Sequence, residues 1–84
     1  DSCIKVLQAG AFNELLEDVC GFEGGVSDKF KLLYVHGQCN STLTEKEVYK
    51  YIGQMTDDAE MRYKAHGQHG FCEGNIEAYA DLVD

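Results

Sequence analysis

Residues 2–20 have the sequence SCIKVLQAGAFNELLEDVC, with a cysteine at or near each end. Apolar side chains recur every three or four residues, at Ile4, Leu7, Ala11, Phe12, Leu15, Leu16 and Val19. This spacing predicts an amphipathic helix, with Ser2 as its N-cap and Gly21 just after its last turn. Gly10 is the weak position, because glycine inside a helix costs about 1 kcal/mol relative to alanine. We therefore expect any bend or break of this helix at Gly10.

The chain has four cysteines, at Cys3, Cys20, Cys39 and Cys72. An even number of cysteines in 84 residues is typical of small proteins that fold in oxidising compartments, where disulfides persist. The cysteines therefore predict two disulfides and a secreted, extracellular protein. The chain begins at Asp1 with neither methionine nor an apolar leader. We accordingly expect a mature product whose signal or pro-segment has been removed.

A continuous first helix would exclude one of the three possible disulfide pairings. Cys3 and Cys20 are 17 residues apart, which is about 25 Å along a helix, whereas a disulfide requires Cα atoms within about 7 Å. A second helix that returns antiparallel along the first would bring Cys39 to the end where Cys3 lies. The predicted pairs are therefore Cys3–Cys39 and Cys20–Cys72, with Cys3–Cys72 and Cys20–Cys39 as the alternative.

Glycines and capping residues divide the rest of the chain. The glycine pair at 24–25 predicts a turn, Ser27 is expected to cap a second helix, and Gly37 to end it. The inner face of that helix is predicted to carry Phe30, Leu33 and Tyr34. A third helix has the clearest start, because residues 44–47 (TEKE) form a capping box, which Leu43 and Val48 flank as a hydrophobic staple.

The inner face of the third helix is predicted to carry Val48, Tyr51, Ile52 and Met55. The acids after Thr56 indicate either a new helix start or a kink within one long helix. Its continuation carries Ala59, Tyr63 and His66 on one face and is expected to end at Gly67 and Gly70. A last helix is predicted from about Asn75, with Ile76, Tyr79, Ala80 and Val83 inward.

No stretch alternates between apolar and polar residues with a period of two, so strands are not expected. The predicted fold is all-α, a small bundle of four to five short helices stapled by two disulfides. Residues 1–84 are expected to form a single domain, since 84 residues suit one domain.

Acidic residues outnumber basic ones by 15 to 7, for a net charge of −8. Phosphate backbones and anionic lipid surfaces repel such a chain, which argues against a nucleic-acid partner. No apolar run approaches the length of a membrane span, so no membrane insertion is expected. Residues 40–42 (NST) form an N-glycosylation sequon directly after Cys39, and a glycan on Asn40 would suit a surface loop.

No set of residues has the spacing that is typical of a catalytic or metal-binding site. His66 and His69 are three residues apart, but a glycine separates them and no third ligand has a fixed spacing. Glycine follows each of these histidines, so the His-Asp pair of secreted phospholipases A2 is absent, and no thiol is left as a nucleophile. The adjacent acidic residues at 17–18 and 57–58 are expected to lie on helix faces that are exposed to solvent. We expect a protein that is not an enzyme, with no metal and no cofactor.

Aromatic residues make up 11% of the chain. Core positions are predicted for Phe12, Phe30, Tyr51 and Tyr79. In contrast, Tyr49, Met61 and Phe71 fall off the inner faces or in loops. Aromatic and methionine side chains are frequent in binding hot spots, so these three are the predicted contacts to a partner.

The opening residues 1–3 (DSC), the acidic charge and the stapled helices resemble water-borne ciliate pheromones, which are small helical bundles. The resemblance covers only the first residues and the general style, and it implies a signalling role.

The expected function is a secreted non-enzymatic protein that binds a macromolecule such as a receptor, as a signal, pheromone, toxin or effector. An apolar patch would also suit a homodimer. The alternative is a carrier of a small hydrophobic ligand, lined by Leu15, Phe30, Ile52 and Tyr79.

Overall fold

The computed structural model describes residues 2–83, and it contains helices and connecting turns but no strand within that range. The four helices are α1 (Ser2–Cys20), α2 (Val26–His36), the single turn α3 (Cys39–Thr42) and α4 (Glu45–Asp81). The predicted small all-α fold is therefore confirmed. Asp1 and Asp84, the two ends of the predicted domain, lie outside the described residues. Among the described helices, none combines the length and the apolar composition needed to cross a membrane.

Helix α1 is the centre of the structure. It packs against both α2 and α4, which make little contact with each other. The described part of the chain is consequently flat, with principal extents of 37 × 28 × 18 Å. Because two helices cover α1 from different sides, its apolar residues face both of them, and open grooves run alongside it.

Helix α1 continues through Gly10, so the expected bend or break there is wrong. A Cβ atom on Gly10 would lie 3.0 Å from the Cβ of Phe30. The missing side chain therefore lets α2 approach α1 closely, which compensates for the low helix propensity of glycine. At the end of α1, Gly21 has a φ of 74° and its N–H donates to the Glu17 carbonyl at 3.1 Å, as predicted for a helix-terminating glycine.

The predicted disulfides, Cys3–Cys39 and Cys20–Cys72, are both confirmed. Their Cα atoms lie 5.4 and 5.6 Å apart, respectively. Because α2 returns antiparallel along α1, it brings Cys39 to the start of α1. The second disulfide joins the end of α1 to the last part of α4. All four cysteines are used in these bonds.

Helix α4 begins with the predicted capping box. The Glu47 N–H donates to Thr44 Oγ1 at 3.1 Å, and the Thr44 N–H donates to Glu47 Oε1 at 2.9 Å. The helix then continues through Thr56 without a new start, which excludes a separate helix beginning there. The acids after Thr56 lie on the exposed side of α4, where they need no helix terminus to be stable.

The interruption of α4 is at Gly67, whose φ of 72° and ψ of 170° are not helical. Gly67 was predicted to be at a helix end, and its conformation is one that only glycine adopts easily. Gly70 and Asn75 lie inside the helix that resumes, so the end predicted at Gly70 and the start predicted at Asn75 are wrong. The resumed segment is held on α1 by the disulfide at Cys72 and by Gln68, whose Nε2 donates to the Val19 carbonyl at 2.9 Å.

The core gathers where α1, α2 and both parts of α4 meet. Its buried apolar members are Leu16, Val26, Ala59, Phe71 and Tyr79. The Phe71 ring packs edge-on against Phe12, with centroids 6.3 Å apart, and lies 5.6 Å from the ring of Tyr63. The expectation that Phe71 lies at the surface is therefore wrong. The kink at Gly67 changes the direction of α4, and the resumed helix directs Phe71 at α1.

Five residues predicted to face inward are exposed instead: Leu33, His66, Ile76, Ala80 and Val83. The prediction assumed a bundle in which each helix has neighbours on a wide inner face. In the flat arrangement, α2 and the end of α4 pack mainly on α1, so a narrower stripe of each is covered.

We expect Gly67→Ala to lower the free energy of unfolding by about 2 kcal/mol, because the φ and ψ of Gly67 are strained for any residue with a Cβ atom. Gly74→Ala is the matched control. Gly74 lies in the resumed helix with open space around its Cα, so alanine there should stabilise by about 0.5–1 kcal/mol. Urea denaturation of the two variants measures the difference, and equal stabilities would contradict the assignment of strain to Gly67.

Candidate functional site

Two of the three predicted partner contacts lie at the surface. Tyr49 and Met61 are 70% and 71% exposed, whereas Phe71 is 3% exposed and cannot contact a partner without rearrangement of the core. Tyr49 and Met61 are twelve residues apart on α4, which separates them by about 18 Å along the axis and about 120° around it. They therefore do not form one patch.

The densest group of exposed apolar side chains lies on α2. Leu32, Leu33 and Val35 are all more than half exposed, and sequence reasoning did not select them. The signal was present, because five of the six residues at 30–35 (FKLLYV) are apolar. A helix that is apolar on all sides is normally covered on all sides, whereas α2 is covered mainly by α1.

The predicted ligand-carrying residues do not line one cavity. Phe30 and Ile52 do share a groove of about 300 Å³, the α1–α2 groove, whose other apolar lining residues include Val6, Leu7, Tyr34 and Val35. Leu15 instead lines a groove of about 230 Å³ between α1 and α4. Tyr79 lines a third groove. The prediction that these four residues line one cavity is therefore wrong. The flat fold has several surface grooves, whereas a bundle would have one central cavity.

The third groove, which we name the C-terminal groove, lies between the loop after α1 and the end of α4. Its volume is about 480 Å³, and its lining consists of Phe22, Glu23, Gly24, Ile76, Tyr79, Ala80 and Val83. The rings of Phe22 and Tyr79 pack together with centroids 4.9 Å apart. The groove is shallow and apolar, and Glu23 contributes a carboxylate to its border.

A polar cluster, the Glu17 junction, joins three helices beneath this groove. The Glu17 carboxylate of α1 accepts hydrogen bonds from the Ser27 hydroxyl, from the Ser27 N–H at 3.2 Å and from the Tyr79 hydroxyl at 2.7 Å. The Tyr79 hydroxyl in turn accepts from the Gly24 N–H at 2.8 Å. Ser27 and Tyr79 are both buried, so one carboxylate satisfies the hydroxyl groups of two buried residues.

The same carboxylate serves as the N-terminal cap of α2. The helix begins at Val26, after Gly25 in a left-handed conformation that supplies no side-chain cap. Ser27 is therefore not the predicted N-cap, but lies inside the first turn and donates to Glu17. A negative charge near a helix N-terminus is stabilising. The sequence suggested a solvated face at Glu17, since no local pattern links residues 17, 27 and 79.

The electrostatics of the junction follow from these contacts. Burial raises the pKa of Glu17, but hydrogen bonds from Ser27, Tyr79 and the backbone of Ser27 and Val26 outweigh it, so the pKa lies below its ordinary value. Burial, and then the hydrogen bond to Glu17, raise the pKa of Tyr79. The Ser27 hydroxyl donates a hydrogen bond to a carboxylate, and the network contains no imidazole. This arrangement fixes the positions of α1, α2 and α4 relative to one another.

Asn40, the predicted glycosylation site, and His69, which the sequence did not support as a metal ligand, do not line the described grooves. Asn40 is exposed in the single turn α3, where a loop was expected, and Thr42 Oγ1 donates to the Gln38 carbonyl at 3.3 Å. His69 is exposed, with Nε2 2.7 Å from Glu73 Oε2. Within residues 2–83, no three histidine, cysteine or acidic side chains are grouped so that they could hold a metal ion.

Comparison of the chain with protein-family models, curated proteins and solved structures finds no match in any of the three.

Proposed function

We propose that this protein is a secreted, non-enzymatic binding protein that acts on a macromolecular partner, in the class of signals, pheromones, toxins or effectors. The observation that carries the proposal is the number of large apolar side chains left at the surface of a cross-linked scaffold, among them Leu32, Val35, Tyr49 and Met61. Tyrosine and methionine are enriched in protein interfaces, and the burial of any of these apolar side chains by a partner is favourable.

The disulfides support an extracellular location, and the net charge supports a protein partner. Both disulfides join residues distant in sequence, with separations of 36 and 52. Such bonds persist in oxidising environments and are rare in reducing ones. The net charge of −8 further favours a protein receptor over nucleic acid, because phosphate groups would be repelled.

The experiment that tests the proposal is binding of fluorescently labelled protein to intact cells of its natural source. Saturable binding that unlabelled protein competes away would support a surface receptor. Uptake without saturation, or no binding to any cell type, would contradict the proposal.

Because Tyr49 and Met61 do not form one patch, we expect a partner to cover at least one of them. The double variant Tyr49→Ala, Met61→Ala should then bind such cells at least tenfold more weakly, since a hot spot contributes about 2 kcal/mol or more and about 1.4 kcal/mol is tenfold in affinity. Both side chains are exposed in the free protein, so the variant should fold normally. Lys64→Ala, an exposed position on the same helix, is the control and should change the affinity by less than twofold. Equal affinities of the double variant and the wild type would remove both residues from the binding surface.

A second candidate, a carrier of a small hydrophobic ligand, is favoured by the α1–α2 groove. Its volume of about 300 Å³ lies at the lower end of the range for small-molecule sites. If the groove carries a ligand, native mass spectrometry after incubation with a medium-chain fatty acid should show a one-to-one adduct. Ala11→Leu, which fills the groove, should abolish that adduct, whereas Ala65→Leu at an exposed position should not. Absence of any adduct with the wild type would count against a carrier.

A further inference from the structure

We propose that the C-terminal groove docks a cationic segment of the partner protein, one that presents an apolar side chain flanked by lysine or arginine. This inference rests on the proposed function, because it names the docking surface and the chemistry of the partner. The apolar floor of the groove would take the apolar side chain, and the carboxylates around it would pair with the flanking cations.

The apolar part of the groove is preformed. Ile76 and Val83 are 48% and 40% exposed, and they border the packed rings of Phe22 and Tyr79. The Glu17 junction fixes Tyr79, and the disulfide at Cys72 holds the same helix onto α1. A rigid apolar surface loses little conformational entropy on binding, which favours affinity.

The charge around the groove is mainly negative. Glu23 lines the groove on the loop side, and Glu77 lies within one helical turn of Ile76 and Ala80 on the other side. Glu73 lies one turn before Ile76 and contacts His69 at 2.7 Å. No lysine or arginine follows Lys64 in the sequence. Lys29 reaches the end of this segment, where its Nζ donates to the Leu82 carbonyl at 2.6 Å. The border of the groove therefore complements a cationic partner and repels an acidic one, a second copy of this chain included.

The α1–α2 groove lacks this feature. Its lining contains one acid and one base, Glu14 and Lys31, and these two already pair with each other at 3.5 Å. It is apolar without an uncompensated charge, so nothing in it selects the charge of a protein partner. Charge complementarity therefore distinguishes the C-terminal groove from the α1–α2 groove.

The first test is the binding of variants to cells of the natural source. Glu77→Lys should weaken binding at least tenfold, and Ile76→Ala should also weaken it about tenfold, since each removes one half of the recognition. Asp57→Lys is the matched control, because it changes the net charge by the same amount at an exposed position on the first part of α4. It should alter the affinity by less than twofold. Circular dichroism checks that all three variants keep their helices.

The second test needs no receptor. An amphipathic helical peptide of leucine and lysine is titrated into the isotopically labelled protein, with a leucine and glutamate peptide of equal length as the control. The lysine peptide should shift the amide signals of residues 22–24 and 76–83, and the glutamate peptide should not. Shifts spread over the whole protein would overturn the inference, and so would the same shifts on concentrating the protein alone, which would identify a second copy.

The two tests separate the inference from the proposed function. Saturable binding that is unchanged in Glu77→Lys and Ile76→Ala would leave the receptor hypothesis intact and overturn the docking surface. Absence of binding to any cell, together with localised shifts from the lysine peptide, would overturn the receptor hypothesis and support the chemistry assigned to the groove.

Discussion

Replacing Cys20 and Cys72 together with alanine is expected to lower the free energy of unfolding by about 4 kcal/mol. The bond closes a loop with a sequence separation of 52, and removing it restores to the unfolded chain the conformational freedom that such a loop loses. In the folded protein, the bond also holds the part of α4 that follows Gly67 onto α1. A small domain has about 5–15 kcal/mol of stability in total, so the effect is large.

Guanidinium denaturation of the variant and the wild type measures this loss. Hydrogen exchange adds a local readout: amides of residues 68–81 should lose more protection than those of α2. The variant Cys3→Ala, Cys39→Ala is the control, since it removes a loop with a separation of 36 at the opposite end of α1. Its total loss should be similar, but its local effect should fall on α3. A loss below about 1 kcal/mol for either pair would mean that helix packing alone holds the fold.

Glu17→Ala is expected to lower the free energy of unfolding by about 3 kcal/mol. Hydrogen bonds to a charged group contribute about 1.5–3 kcal/mol, and a buried donor left without an acceptor costs about 1–3 kcal/mol. The substitution leaves the Ser27 and Tyr79 hydroxyls without the acceptor that they have in the wild type. It also removes the negative charge at the N-terminus of α2.

A double-mutant cycle with Glu17→Ala and Tyr79→Phe isolates the contact between helices α1 and α4. The two substitutions should be non-additive by at least 0.5 kcal/mol, as is found for residues in one hydrogen-bond network. Glu14→Ala is the matched control on α1, because Glu14 is exposed and pairs only loosely, at 3.5 Å, with Lys31. It should change stability by less than about 1 kcal/mol. Additivity of Glu17→Ala and Tyr79→Phe would contradict the coupling.

The junction also predicts how stability depends on pH. Because the pKa of Glu17 is lowered in the folded protein, its contribution is fully present above the ordinary glutamate pKa of about 4.3. It is lost as the pH falls through the folded-state pKa. Because the pKa of Tyr79 is raised, its contribution is present below about pH 10 and lost as the pH rises further.

Sequence reasoning succeeded where one stretch of chain decides the outcome. The spacing of apolar residues from Ser2 to Cys20 predicted α1, and the length of a continuous helix excluded a bond between its two cysteines. The capping box at Thr44 gave the start of α4 to the residue, since both of its hydrogen bonds form within four consecutive residues. A capping box and the rise of a continuous helix depend only on the stretch of chain that forms them.

The candidate sites were predicted less well, because their residues meet only after the helices pack. Tyr49 and Met61 were correctly expected at the surface, whereas Phe71 is buried because the kink at Gly67 redirects the helix that carries it. The sequence did not predict the exposed side of α2 either, because that side depends on how α2 packs against α1. An apolar helix predicts burial, and only the position of α2 on one side of α1 shows which side stays open.

The sequence by itself determined that this protein is an acidic chain of helices with two disulfides, and it excluded the pairing of Cys3 with Cys20. The structure chose between the two remaining pairings. The tertiary structure decided where α4 kinks, which apolar side chains remain exposed, and that Glu17 joins residues 27 and 79. The physical reason is the distance along the sequence over which each interaction acts. Helix periodicity and capping act over a few residues, whereas the junction and the grooves depend on side chains up to 62 positions apart, brought together by packing on α1.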